Sequence, residues 1–277
     1  MAGIDEPESG IMNRHSEMVR AGAVSIETYV DGDGPAVVVI PSYGRDGGED
    51  FEPFTAALVA AGYRVLRPQP RGVGRSAGPM TGVDLRGLGD DIAHVIDQLG
   101  NGSAVVLGHA FGHIVARTVA ANHPGKVSAV ILAAAAGRSV PPEINSAPMR
   151  AADLTRPDDE RLAALRLAFF APGHDASIWL RGWYPETLKM QVASISADRA
   201  NLMRYWAAGT APIFEIIAAL DPFHRPEQWG DLRDQFGSRA TSTVIEDASH
   251  ALFPEQPAAV ASAVIGYLDD LKLIPPT

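Results

Sequence analysis

The residues best placed to do chemistry lie in Leu107-Gly108-His109-Ala110-Phe111-Gly112-His113. The stretch follows a short apolar strand pattern, Ala104 to Leu107, and precedes a helical pattern from about Phe111 to His123 that Pro124 halts. A tight strand-to-helix turn lifts its middle residue above a sheet. It also aims the positive end of the following helix at whatever binds there. The turn leaves no room for side chains beside the lifted residue, and Gly108 and Gly112 meet that demand. The middle residue is Ala110, which carries no nucleophile.

Two downstream residues suit acid–base work. His250 lies in Asp247-Ala248-Ser249-His250-Ala251-Leu252-Phe253-Pro254-Glu255, after the strand pattern Thr241 to Ile245 and before a terminal helix. An imidazole there accepts and returns a proton near neutral pH. Asp221 ends the pattern Pro212 to Leu220 and opens Asp-Pro-Phe-His-Arg-Pro-Glu. A carboxylate facing an imidazole fixes its tautomer and stabilises the imidazolium. Asp247 is the alternative acid. His15, His94, His123, His174 and His224 read as surface or satisfied core residues, and His109 and His113 as pocket neighbours without chemistry.

Together these segments resemble the α/β-hydrolase superfamily, in its capped esterase and lactonase-like branch, from Ala23 onward. The elbow has the Gly-x-Ser-x-Gly frame with Ala110 at the nucleophile position. Pro41-Ser42-Tyr43-Gly44 is similar to the family's turn after the second strand, and Arg71-Gly72-Val73-Gly74-Arg75-Ser76 to its Asp-x-Arg-Gly-x-Gly-x-Ser loop, with a structural role. The order of elbow, acid and histidine also matches. The resemblance implies that Ala110, Asp221 and His250 mark the catalytic positions. It makes the N–H groups of Tyr43 and Phe111 the oxyanion hole and calls for no metal or organic cofactor. Dehalogenases and epoxide hydrolases of this fold use an aspartate nucleophile, which Ala110 excludes as firmly as serine.

Alanine admits two accounts. In one, a serine natural to the site has been replaced, and the chain is inactive or strongly impaired. In the other, alanine is natural. The His250–Asp221 pair then acts as a general base on water or a substrate proton, making a non-covalent hydrolase, a lyase or an isomerase, or the protein binds a ligand without chemistry. The intact remainder of the site favours the first.

The elements that must position these groups follow from the hydropathy pattern. Short β-branched runs alternate with helical periodicity, which predicts a doubly wound, mostly parallel α/β sheet. Ala23 to Val30 reads as an edge strand, with Ala36 to Ile40, Arg64 to Leu66 and Val127 to Ala133 as further strands. From residue 138 to 209 the pattern is helical and reads as a cap inserted between two parts of one core, residues 19–137 and 210–277. Residues 1–18 read as a flexible tail.

The inserted segment holds three of the four tryptophans. Its aromatics either cover an apolar substrate pocket or dock the segment onto the sheet. Ser42, His109, Trp179, Trp183, Tyr184 and Trp206 are the candidate substrate contacts, and the expected partner is a mostly apolar small molecule.

The 277 residues carry a net charge of −10 and no cysteine, which excludes disulfides and thiolate chemistry. The acidic balance argues against nucleic acid or an anionic membrane surface as partner. The polar N-terminus lacks a secretory signal pattern, and the expected location is cytoplasmic.

Overall fold

The computed structural model describes residues 15–273. Its sheet has eight strands in the order β1-β2-β4-β3-β5-β6-β7-β8. The strands are β1 (Ser16–Ala21), β2 (Val24–Asp31), β3 (Ala36–Ile40), β4 (Arg64–Pro68), β5 (Ala104–His109), β6 (Val127–Ala133), β7 (Ile213–Ala218) and β8 (Ala240–Ile245). The β1/β2 and β2/β4 pairs are antiparallel, and the other five are parallel.

Every residue of β3, β5 and β7 is buried. Unbroken runs such as Ala36-Val37-Val38-Val39-Ile40 suit strands covered on both faces. Alternate residues serve opposite faces, as the pleat requires. Val38, Ile40 and Val106 join one core with α2 (Leu85–Leu99) and α3 (Gly112–Asn122). Val37, Val39, Val105 and Leu107 join the other with α1 (Glu52–Ala60) and α11 (Pro257–Asp270). Helix α2 begins where the Asp84 carboxylate accepts the Gly87 N–H at 2.8 Å.

Two expectations need correction at the N-terminal side. Ser16 to Met18, read as tail, pair with β2, whereas residues 1–14 lie outside the described residues. β2 is therefore an inner strand, and β1 takes the edge. Its short alternating pattern, Ser-Glu-Met-Val-Arg-Ala, buries only Val19 fully, too weak a signal to read as a strand.

Between β6 and β7 the regular elements are helical. They include α4 (Pro142–Asn145), α5 (Ala147–Ala152), α6 (Asp158–Ala168), α7 (Pro185–Ala197) and α8 (Leu202–Trp206). The segment has its own apolar cluster, in which Ala151, Leu165, Phe169 and Trp179 meet Phe223 and Ala251 from the sheet domain. Helices α9 (Asp231–Phe236) and α10 (Leu252–Glu255) flank β8. Among the described residues no helix is long and apolar enough to cross a membrane.

Candidate active site

The turn after β5 shows why its residues are what they are. A Cβ on Gly108 would lie 2.2 Å from the Gly112 carbonyl oxygen, and one on Gly112 would lie 2.4 Å from the Ile40 oxygen. Both separations are impossible, so helix α3 can start against β3 only with glycine at each position. Between them Ala110 is held at φ 48°, in the left-handed region that non-glycine residues enter at a cost of about 1 kcal/mol or more. Its N–H donates to the Ala133 oxygen at 2.9 Å, tying the turn to β6.

His250 and Asp221 come from the ends of β8 and β7 and meet beside this turn. Nδ1 of His250 lies 2.9 Å from Oδ2 of Asp221, and both residues are buried. The other carboxylate oxygen of Asp221 accepts the Phe223 N–H at 2.8 Å. Phe223 stacks obliquely on the imidazole, with ring centroids 4.2 Å apart. The ring is thus fixed in position and rotation, with Nδ1 spent on the carboxylate.

Glu255 holds the loop from behind. Its oxygens accept the N–H groups of Ser249 and Ala171, each at 2.6 Å, and burial pushes its carboxyl above the ordinary range. Asp247 takes no part. It sits at φ 51° facing His174 and Gln256 on the outside of the loop.

A cavity of about 390 Å³ opens over the elbow. Ala110, His250, Ser42, Tyr43 and Phe111 all line it. The N–H groups of Tyr43 and Phe111 donate no hydrogen bond to any described residue, so both remain available to a ligand oxygen. The Tyr43 and Phe111 rings stack 4.4 Å apart. Gly44 is clamped from above, because its N–H donates to Gln191 Oε1 at 2.8 Å and its oxygen accepts the Tyr184 N–H at 2.8 Å. Helix α7 thus fixes the Ser42–Gly44 loop. Met149, Phe169, Leu188, Val192, Ile195 and Phe223 supply much of the apolar wall.

Of the expected substrate contacts, only Ser42 lines this cavity. The other five sit elsewhere, for physical reasons. His109 follows Gly108 on the opposite side of the pleat, and its Nε2 meets the His250 carbonyl at 2.7 Å. Burial, and secondarily the His250 charge, pushes its pKa down to about 3. Trp179 is fully buried, donates to Asp50 at 3.0 Å and carries the Arg45 guanidinium 4.5 Å above its ring. Trp183 donates to the Trp179 oxygen. Tyr184 donates to Asp46, and Trp206 to Gln235 with Arg117 over its ring. These aromatics fasten the helical segment to the sheet domain. The wall was missed because leucine, valine and methionine on α5 and α7 look like ordinary helix residues until the helices are placed. His113, read as a neighbour without chemistry, does line the cavity.

Comparison with known proteins identifies the fold. Residues 35–257 match the family described as alpha/beta hydrolase fold. An epoxide hydrolase from Caballeronia sordidicola is 28% identical over 209 residues, 73% of this chain. The chain spans 33% to 56% of the length of curated relatives such as this one. The esterase of Exiguobacterium antarcticum superposes with a TM-score of 0.75 at 21% identity, over 91% of this chain and 98% of the esterase. An N-acyl homoserine lactone degrading enzyme superposes with a TM-score of 0.71 at 20% identity, over 91% of this chain and 100% of that one. At these identities the superpositions speak for the fold alone.

Proposed function

The chain belongs to the α/β-hydrolase fold family, and from that premise we propose that it hydrolyses a carboxylic ester or lactone with a largely apolar body. The observation that carries the reading is the His250 imidazole, held by Asp221 at 2.9 Å and lining the same cavity as Ala110. With Asp221 on Nδ1, the free Nε2 is the basic nitrogen. The methyl of Ala110 leaves the nucleophile to water. Nε2 takes a proton from that water as its oxygen attacks the carbonyl carbon. The resulting oxyanion rests on the N–H groups of Tyr43 and Phe111. Collapse of the tetrahedral species breaks the acyl–oxygen bond, and the leaving alkoxide takes the proton back from the imidazolium. Apolar walls suit an apolar acyl or alcohol group. The esterase and the lactone-degrading enzyme that share the fold support this substrate class by analogy.

The elbow itself favours a second reading. Ala110 keeps φ 48°, a conformation that serves to present a side-chain nucleophile, and presents none. In that reading the cavity binds esters without turning them over, because a serine has given way to alanine.

Assays with short p-nitrophenyl esters separate the two. Hydrolysis by the unaltered chain that disappears in His250→Ala supports water as nucleophile. No hydrolysis by the unaltered chain, with His250-dependent hydrolysis in Ala110→Ser, supports the second reading. Inactivity of both, with both folded, rejects the ester and lactone assignment.

A further inference from the structure

His113 is a buried polar side chain that the proposed reaction does not use. It is 4% exposed and lines the cavity three residues beyond Ala110, to whose oxygen its N–H donates at 2.9 Å. Neither ring nitrogen has a hydrogen-bond partner among the described residues. Nδ1 is sealed from solvent, so Nε2 is the nitrogen through which the ring meets the cavity. The edge of Trp206 backs the imidazole at 6.4 Å between centroids, holding its plane. A ligand cannot reach Nδ1, so the nitrogen that a bound oxygen can serve is the cavity-facing Nε2, which has no partner among the described residues to compete with it.

We propose that His113 is a specificity-determining residue that donates from Nε2 to a second oxygen of the substrate, selecting acyl compounds with a keto group close to the reacting carbonyl. The inference rests on the reading above, in which that carbonyl lies against the N–H groups of Tyr43 and Phe111. The direction of donation follows from burial. An unmet N–H is worse buried than an unmet lone pair, so Nδ1 carries the lone pair and Nε2 the proton. Burial also pushes the His113 pKa well below the ordinary histidine range, with the Arg117 charge adding to the effect, so the ring stays neutral. The position of the keto group follows from the turn. The Ala110 oxygen accepts the His113 N–H at 2.9 Å, a turn that keeps the two Cα atoms within about 7 Å. A donor that far from the elbow reaches an oxygen two or three bonds along the acyl chain, at carbon 3 or 4. Phe111, Ile114 and Ile195 line the same cavity and offer that oxygen no hydrogen bond from their side chains.

The test measures dissociation constants by calorimetry for benzyl pentanoate, benzyl 3-oxopentanoate and benzyl 4-oxopentanoate. It uses the full chain carrying His250→Ala, so that no ester is consumed. One of the two keto esters is expected to bind about tenfold more tightly than pentanoate, the worth of one net hydrogen bond. Adding His113→Leu removes that preference without weakening pentanoate. Adding His113→Gln, which keeps an N–H donor, retains part of it and guards against a mere folding defect. Equal affinity for all three esters, no binding of either keto ester, or an equal loss on all three in His113→Leu overturns the proposal. Binding is read without turnover. A keto preference in His250→Ala, combined with no hydrolysis by either the unaltered chain or Ala110→Ser, therefore rejects the hydrolytic reading and leaves the assignment of His113 standing.

Discussion

The strand ends and the helical segment above them both carry residues that look functional, yet only one set reaches the cavity. Ala110, Asp221 and His250 each follow a parallel strand, β5, β7 and β8, and all three converge. Trp179, Trp183, Tyr184 and Trp206 lie between β6 and β7, and all four point into protein packing. A strand end fixes its next few residues through the ladder it shares with its neighbours, so sequence context carries direction. A side chain on an inserted helix points wherever the helix's rotation sends it, and that rotation is set by packing far along the chain. Large aromatics are also the residues most useful for docking one layer on another.

The first way to sharpen this contrast is Ala110→Ser. Esterase activity should rise by on the order of 10³-fold or more, since the base, its carboxylate and two free N–H donors are in place. Steady-state kinetics on p-nitrophenyl acetate reads it. A properly folded Ala110→Ser protein with unchanged activity would break the idea that the strand ends form one reacting unit.

Next in size is Asp221→Asn in that serine background. Asparagine keeps the shape but holds the wrong imidazole tautomer, and kcat should fall by about 10² to 10⁴-fold with little change in KM. The fall should exceed that of Asp247→Asn, which faces away from His250, by at least an order of magnitude.

The helical segment should answer in stability instead. Trp179→Ala should cost about 3–5 kcal/mol in urea unfolding, the usual result of emptying a fully buried indole site. Val192, 41% exposed on the cavity wall, should do the reverse. Val192→Ser should leave stability within about 0.5 kcal/mol and raise KM for apolar esters a few-fold. If Val192→Ser unfolds the chain, the division between docking and lining residues is wrong.

The smallest effect concerns acid. His109 is neutral in the folded chain down to about pH 3, whereas an unfolded imidazole takes a proton near pH 6.5. The unfolded state therefore binds the extra proton, and stability drains away as pH falls from 6.5 towards 3. His109→Gln should flatten the decline of melting temperature between pH 6.5 and 4. An unchanged slope would place the acid sensitivity elsewhere.

The legible part of the site was the part governed by backbone geometry. Gly108 and Gly112 betray the elbow because nothing larger fits, and the residues flanking Asp221 and His250 mark strand ends. Tyr43 was legible only through the spacing of the turn after β3. His113 was legible as a pocket neighbour from its place beside the elbow, but nothing in its spacing gave it a role. Its proposed role depends on Nε2 meeting the cavity while Nδ1 is sealed in a packed interior. β1 stayed hidden because a six-residue strand with one fully buried side chain has almost no pattern of its own.

The sequence by itself determined the alternation of buried strands and helices, the glycine frame around Ala110 and the order of acid and histidine. Each of these is enforced locally, by sterics or by the need to bury apolar residues at a fixed period. Only the tertiary structure decided which helix face meets the cavity, that His109 supports the His250 loop from behind, and that Trp179 anchors while Val192 lines. Those outcomes depend on contacts between residues far apart in the chain, and no short-range rule of spacing encodes them.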